Sequence, residues 1–185
     1  MGRKLFAWNP VRRFLRFDES PRDDSGEDLM LWNGSPLPED QTIHLVKPRK
    51  GKLHDFLYTP LLLLFVSQRA LEVVQSAHVP NIRVNRLNLR DPDGRIIRDN
   101  YYWVNVALVV PVMDEQRSVF TREAGGMRQV DRLVLDDSRI PPDDLFVIAE
   151  ISQTVCSEPL VQAIQKAGLS GAKFEPLDET FRWPA

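Results

Sequence analysis

Apolar and polar positions follow two rhythms along this chain, and the changes of rhythm mark its elements. A period of two dominates from the middle onward. Residues 101–110 are nearly all apolar, with Tyr102, Val104, Val106 and Leu108 on one face and Tyr101, Trp103, Asn105 and Ala107 on the other. A strand apolar on both faces predicts a central position covered from both sides. Residues 83–89 predict another strand. Ile82 and Val84 fall out of phase there with Leu87 and Leu89, which predicts a bulge or bend. Between these strands, Asp91-Pro92-Asp93-Gly94 places Pro and Gly at the second and fourth positions of a type I turn. Residues 130–135 and 145–151 predict two more strands, joined by an acidic loop over 136–144 that Pro141-Pro142 stiffens. Ile43-His44-Leu45-Val46 reads as a short strand punctuated by Pro36, Pro38 and Pro48. A polar turn spans 114–118, Val119-Phe120 opens a short edge strand, and Ala124-Gly125-Gly126 is a further turn.

A period near 3.6 appears over two segments. Ser67 is a good N-cap because its hydroxyl accepts an orphan backbone N–H. Val66 and Leu71 sit at the two positions of a hydrophobic staple. Ala70, Leu71, Val74 and Ala77 form one apolar stripe, and Pro80 stops the helix predicted over 67–77. The second helix holds Pro159 in its first turn, where a missing N–H does no harm. Leu160, Ile164 and Ala167 make its stripe. Gly168 suits the left-handed position that follows, with Leu169 closing on Ile164 as in a Schellman ending. No internal repeat and no low-complexity tract is visible. These patterns predict an α+β fold: a central, mostly antiparallel sheet including 101–110, 130–135 and 145–151. A few short helices pack on it through Leu71, Val74, Leu160 and Ile164.

The N-terminal third is less regular. Residues 3–17 mix Arg3, Lys4, Arg12, Arg13 and Arg16 with Leu5, Phe6, Trp8, Val11, Phe14, Leu15 and Phe17; residues 18–28 are rich in acids. A basic, aromatic segment can lie on a membrane surface. Pro10 interrupts any continuous helix, however, so the expected arrangement is a strand pair covering the core, with the acids in a solvated loop.

Composition narrows the function classes. The 185 residues suit one domain, with residues 1–60 as an N-terminal extension. A net charge of -2 argues against a duplex-DNA footprint. The single Cys forms no internal disulfide, which fits a reducing compartment. The most apolar run, residues 61–66, is far shorter than the roughly 20 residues a membrane span needs. No apolar stretch of secretory-signal length follows the N-terminus. The expected location is the cytoplasm, without stable membrane insertion.

Candidate chemistry is sparse. His44, His54 and His78 lie in different segments, none at a metal-ligand spacing, and read as surface or half-buried residues. Cys156 precedes a helix start, a place that can lower a thiol pKa. A nucleophilic Cys needs an oriented base, and no histidine lies near it in sequence, so a buried, inert thiol is expected. There is no nucleophile elbow and no phosphate-binding glycine loop. Paired carboxylates occur only as Asp136-Asp137 and Asp143-Asp144, without the alternating spacing of a calcium loop. Trp8, Trp32, Trp103 and Trp183 lack the basic groove that a nucleic-acid stacking platform requires. The reading is of no catalytic residues, no metal and no cofactor.

The C-terminal section carries a resemblance. Arg132-Leu133-Val134-Leu135 and Leu145-Phe146-Val147-Ile148 are followed by Ser157, Glu158, Leu160, Ala163, Ile164, Gly168, Leu169, Gly171 and Phe174. Over residues 67–177 this pattern, with Tyr102-Trp103-Val104-Asn105-Val106 and the acidic turn at 114–118, resembles a family of bacterial immunity proteins from polymorphic-toxin systems. The resemblance implies a protein that binds a cognate toxin, delivered by contact-dependent or type VI-like secretion, inside the producing cell. The toxin is then the expected partner, nucleic acid is not, and the chain is expected as a monomer or weak homo-oligomer. Toxins that act on nucleic acids or phospholipids present basic clefts, which an acidic, stiff projection can plug. Asp136, Asp137, Asp143 and Asp144 in the loop over 136–144 are the expected toxin contacts. Two other readings stand beside this one: a small enzyme whose site assembles from Cys156, His78 and Asp114, and a membrane-surface adaptor using residues 3–17.

Overall fold

Three apolar clusters organise the chain, and which cluster a side chain joins follows from the face of the strand it occupies. The computed structural model describes residues 3–10, 22, 23, 25, 27, 28, 31, 34, 37, 38, 40–47, 52–57, 63–122 and 128–177. Among them the strands are β1 (Leu5–Pro10), β2 (Ile43–Val46), β3 (Phe56–Leu57), β4 (Leu64–Ser67), β5 (Ile82–Arg90), β6 (Ile96–Val106), β7 (Val109–Val110), β8 (Val119–Arg122), β9 (Arg128–Arg132), β10 (Leu145–Ile148), β11 (Gln153–Ser157) and β12 (Ala172–Pro176). The helices are α1 (Gln68–Gln75) and α2 (Glu158–Lys166). The class is α+β.

The strands expected in one sheet are distributed over three. One five-stranded sheet has the order β2-β5-β6-β4-β3, a second the order β12-β1-β11-β10-β7, and β8 and β9 form a separate pair. The first cluster lies between the two large sheets and takes in both helices: Val66, Val74, Val104, Val106, Leu145, Val147, Leu160 and Ile164 are buried in it. The opposite faces carry the other two clusters. Tyr101 and Trp103 of β6 join Ile43, Leu45, Leu87 and Leu89; Phe146 and Ile148 of β10 join Val112, Met113 and Val130. The two-faced reading of 101–106 therefore holds, since β6 is covered on both sides.

Several boundaries differ from the periodicity for tertiary reasons. The apolar run 101–110 is not one strand. It leaves its sheet after Val106, where the Ala107 amide donates to the Asn81 carbonyl at 2.9 Å, and resumes as β7, parallel to β10. Leu108 consequently packs in the third cluster, away from Val106. The strand expected over 145–151 ends at Ile148. The next residues turn through Ser152, at φ 52, and return as the antiparallel β11. Of the strand expected over 130–135, Arg128–Arg132 belongs to β9, and Leu135 makes only an isolated bridge to Met113. Of the strand pair expected to cover the core over residues 3–17, β1 is the part described; residues 11–17 lie outside the described residues. β1 is inserted inside a sheet, antiparallel to β11 on one side and β12 on the other. The turn at 124–126 lies outside the described residues.

Local signals fare well. The β5–β6 register runs unbroken from Ile82↔Val106 to Leu87↔Tyr101, so the change of hydrophobic phase marks a change of buried face and not a bulge: Ile82 and Val84 pack in the first cluster, Leu87 and Leu89 in the second. The register shifts lie beyond Leu87, where β6 advances one residue more than β5. Gly94 donates to the Asp91 carbonyl at 2.9 Å and sits at φ 83, so a type I turn is followed by a left-handed residue. Ser67 Oγ accepts from the Ala70 amide, and Ser157 Oγ from the Leu160 amide. Gly168, at φ 63, donates to the Gln165 carbonyl while Leu169 donates to that of Ile164, the two bonds of a Schellman motif.

The structure also contains a repeat that the sequence hides. In one half, the hairpin β3–β4 leads into α1 and then β5, and β6 fills the slot between β4 and β5, antiparallel to both. In the other half, the hairpin β10–β11 leads into α2 and then β12, and β1 fills the slot between β11 and β12, again antiparallel to both. Ser67, Gln75 and Ala77 recur at a constant offset of 90 as Ser157, Gln165 and Ala167. The remaining matches preserve only apolar character, as in Leu71 and Val161 or Val74 and Ile164. Three identities over this stretch are too few to stand out in the sequence.

Candidate functional site

The loop over 136–144 is held in shape by its own aspartates. Asp136 caps the short 3-10 turn Asp137–Arg139, accepting from the Ser138 amide at 3.0 Å and hydroxyl at 2.6 Å. It also pairs with Arg139 at 3.0 Å. The Ser138 hydrogen bonds hold its carboxyl below the usual 3.8, with Arg139 adding to them. Asp143 is buried and accepts from the Asn81 side chain at 3.1 Å. Asp144 takes three donors: Arg3 at 2.6 Å, the Ser157 hydroxyl at 2.5 Å and the His78 amide at 3.1 Å. Arg3 donates as well to the carbonyls of Pro141 and Asp143, strapping the loop to the N-terminus. Asp137 alone of the four is exposed with no side-chain hydrogen bond or ion pair among the described residues. The sequence reading groups four acids as one negative patch; the geometry gives three of them internal partners.

Asp144 has a counterpart in Asp55, and together they tie the halves. The Asp55 carboxylate accepts from the Ser67 hydroxyl at 2.8 Å and from the amide and hydroxyl of Ser170, each at 3.0 Å. Each aspartate thus orients the serine that caps its own half's helix and binds the residue just beyond the other half's helix. A hydroxyl has one hydrogen to donate, so fixing it on the carboxylate aims its lone pairs at the helix amides. Burial alone would raise the Asp55 carboxyl; the Ser170 and Ser67 hydrogen bonds outweigh it, and the net shift is downward. Gly171 completes this junction. At φ 99 it tolerates the backbone, and a Cβ there would collide with the Phe56 carbonyl oxygen.

The residues of the enzyme reading do not assemble. Cys156 is fully buried, donates to the Phe6 carbonyl at 3.6 Å, and has its thiol pKa pushed up by burial and by the Asp144 charge. His78 is exposed at the end of α1, and only its backbone meets Asp144. The Asp114 carboxylate accepts from the Gln116 and Arg117 amides within its own turn. His44 and His54 are buried, deeper than expected. Burial, followed by the Lys52 charge, lowers the His54 pKa. Tyr101 donates to the His54 carbonyl at 2.9 Å, and its hydroxyl is pushed up to about 12, by burial first and then by Asp55. No group of acidic, His or Cys side chains among the described residues is placed to hold a metal.

The membrane-adaptor reading loses its apolar face over residues 3–10. Leu5, Ala7 and Trp8 are buried, and Trp8 stacks edge-on against Phe56 and Phe174 at 4.9 and 5.2 Å. Residues 11–17, Trp32 and Trp183 lie outside the described residues; Trp103 is buried. No described helix is long and apolar enough to cross a membrane.

Positive charge is arranged differently from negative. Across most of the described surface, cations meet acids: Lys4 with Glu158, Arg22 with Asp28, Arg117 with Asp114, Lys173 with Glu175. The β5–β6 hairpin departs from this. It carries Arg83, Arg86, Arg90, Arg95 and Arg98, and none of them pairs with an acid among the described residues. The sequence reading assigns these arginines no role; five arginines within sixteen positions (83 to 98) were the available signal.

Comparison with known families gives one match. Residues 10–179 fit the model of an immunity protein family, Imm11. The match begins well ahead of residue 67, where the resemblance in the sequence starts. None of the curated proteins matches the chain.

Proposed function

Because this chain belongs to the Imm11 immunity protein family, we propose that it binds a cognate secreted antibacterial toxin in the cytoplasm and neutralises it, protecting the producing cell and its kin. The observation that carries this reading is the family match, which runs through both halves of the fold. The chemistry described above agrees with a binder: the one thiol is sealed in the core, and three of the four candidate acids are engaged within the protein. Neutralisation here means occlusion of the toxin by a stable protein–protein interface. Such interfaces typically bury about 1,200–2,000 Å² in total.

In the loop over 136–144, Asp137 is the group presented to a partner, while Asp136, Asp143 and Asp144 hold the loop's shape. Pro141 and Pro142 limit its freedom, so less entropy is lost on docking.

The test uses the C-terminal toxin domain encoded by the neighbouring reading frame. Expressed alone in a bacterial host it should arrest growth; co-expression with this chain should restore growth, and the two should co-elute as one complex. Asp137→Asn should slow association measurably. Growth arrest that persists despite co-expression, with no complex on the column, would defeat the reading.

A further inference from the structure

The arginines of the β5–β6 hairpin are a second feature with an outward-facing consequence. Strand alternation on β5 puts Arg86, Asn88 and Arg90 in one row, beyond Ile82 and Val84, which pack against the central cluster. The register sets Arg86 opposite Tyr102 and Arg90 opposite Ile96 on the neighbouring strand. Residues directly opposite share a face, so these four form a patch running off the end of the helix layer. Arg86 is exposed, and its side chain makes no hydrogen bond or ion pair among the described residues; the half-buried Arg90 side chain approaches His44 at 3.3 Å. Ile96 is 54% exposed, among the most exposed large apolar side chains described. Arg95, at the hairpin turn, is exposed and also unpaired.

Charge bookkeeping gives this patch its direction. Residues 82–106 hold five arginines and three aspartates, a net +2, in a chain of net -2, so the remainder carries -4. The nearest acid in the hairpin is engaged: Asp91 accepts from the Asp93 and Arg95 amides within the turn. The patch is therefore a cationic island on an acidic protein, on a ribbon held by hydrogen bonds to β2 and β4. Arginine beside tyrosine and isoleucine is also the composition found where interface energy concentrates.

We propose that this face, Arg86 and Arg90 opposite Tyr102 and Ile96 with Arg95 at the turn, docks an acidic surface of the toxin. The inference rests on the immunity reading and specifies where and by what charge it operates. Unpaired guanidinium groups attract carboxylates over distance and then bind them bidentately. Desolvating them breaks no ion pair among the described residues.

The experiment measures association of the full-length chain with the toxin domain from the neighbouring reading frame, across a salt series. The variant R86E/R95E should keep the wild-type unfolding midpoint, since neither side chain has a partner to lose. It should associate about tenfold or more slowly at low salt, with a flattened salt dependence. A charge-keeping R86K/R95K should retain most of the rate. Unchanged kinetics in R86E/R95E, with normal wild-type binding, would overturn the docking surface and leave the immunity reading standing. No binding by the wild type would overturn both. A third arm offers a short DNA duplex at the same salt; tight binding that R86E/R95E abolishes would assign the patch to nucleic acid and overturn the protein partner.

Discussion

At the scale of single residues, aspartate is the side chain that decides most here, and its role depends on its donors more than on its charge. Asp55 and Asp137 carry the same charge; one is enclosed by serine donors and the other is exposed, without a donor among the described residues. The pH consequence follows from the sign of the Asp55 shift. Its folded pKa lies below the ordinary 3.8, so its ionised form favours the native state. That contribution is complete above 3.8 and is lost as pH falls through the lower, folded value. Urea midpoints should therefore drop on acidification below about pH 4. Asp55→Asn should be less stable near neutrality and show a shallower acid decline, its curve converging on the wild type at low pH. Parallel curves at every pH would remove Asp55 from the account.

At the scale of elements, whatever depends on neighbours within a few residues was legible in the sequence. Ser67 and Ser157 as caps, Gly168 after its helix, and the Asp91–Gly94 turn all follow from local backbone chemistry. The hairpin between β10 and β11 escaped because its turn holds Ser152 at positive φ, where glycine or asparagine would have announced it. The division of 101–110 escaped because hydrophobicity continues unbroken across Ala107, whereas its partner β5 begins at Ile82 and the Leu108 carbonyl accepts from Val147 of the other sheet. The candidate acids were legible as charge; the donors of Asp136 are local, but Asn81 on Asp143 and Arg3 on Asp144 lie far away in the chain. Gly171 gives a sharp test of such long-range fit. Gly171→Ala should destabilise by roughly 2 kcal/mol or more, combining positive φ with a backbone collision. Gly94→Ala, at similar φ but with nothing within 4 Å, should cost about 1 kcal/mol. Equal unfolding free energies for the two variants would show that the Phe56–Gly171 approach relaxes without cost.

At the scale of the whole molecule, the two halves are cross-clamped by Asp55 and Asp144, and one of them borrows its inner strand from the far end of the chain. β1 pairs with residues about 150 positions away, as in Leu5↔Ser157. No local pattern announces a pairing of that span, which is why the N-terminus read as a cover. Removing residues 3–10 should leave β11 and β12 without the strand between them. The deletion variant should lose cooperative unfolding in its second half, seen as fast amide hydrogen exchange over β11 and β12. Protection there equal to wild type would contradict the inserted position. A synthetic peptide of residues 3–10 supplied in trans should restore protection.

That inserted strand also sets a timetable for synthesis. The half built from β3, β4, α1, β5 and β6 is contiguous over residues 56–106 and can close as soon as those residues leave the ribosome. β1 emerges before any of them, yet its slot exists only once β12 has been made. Until then the chain carries an apolar strand, Leu5 to Trp8, that has nowhere native to go. The interval between the emergence of β1 and a completed second sheet is set by the arrival of β12.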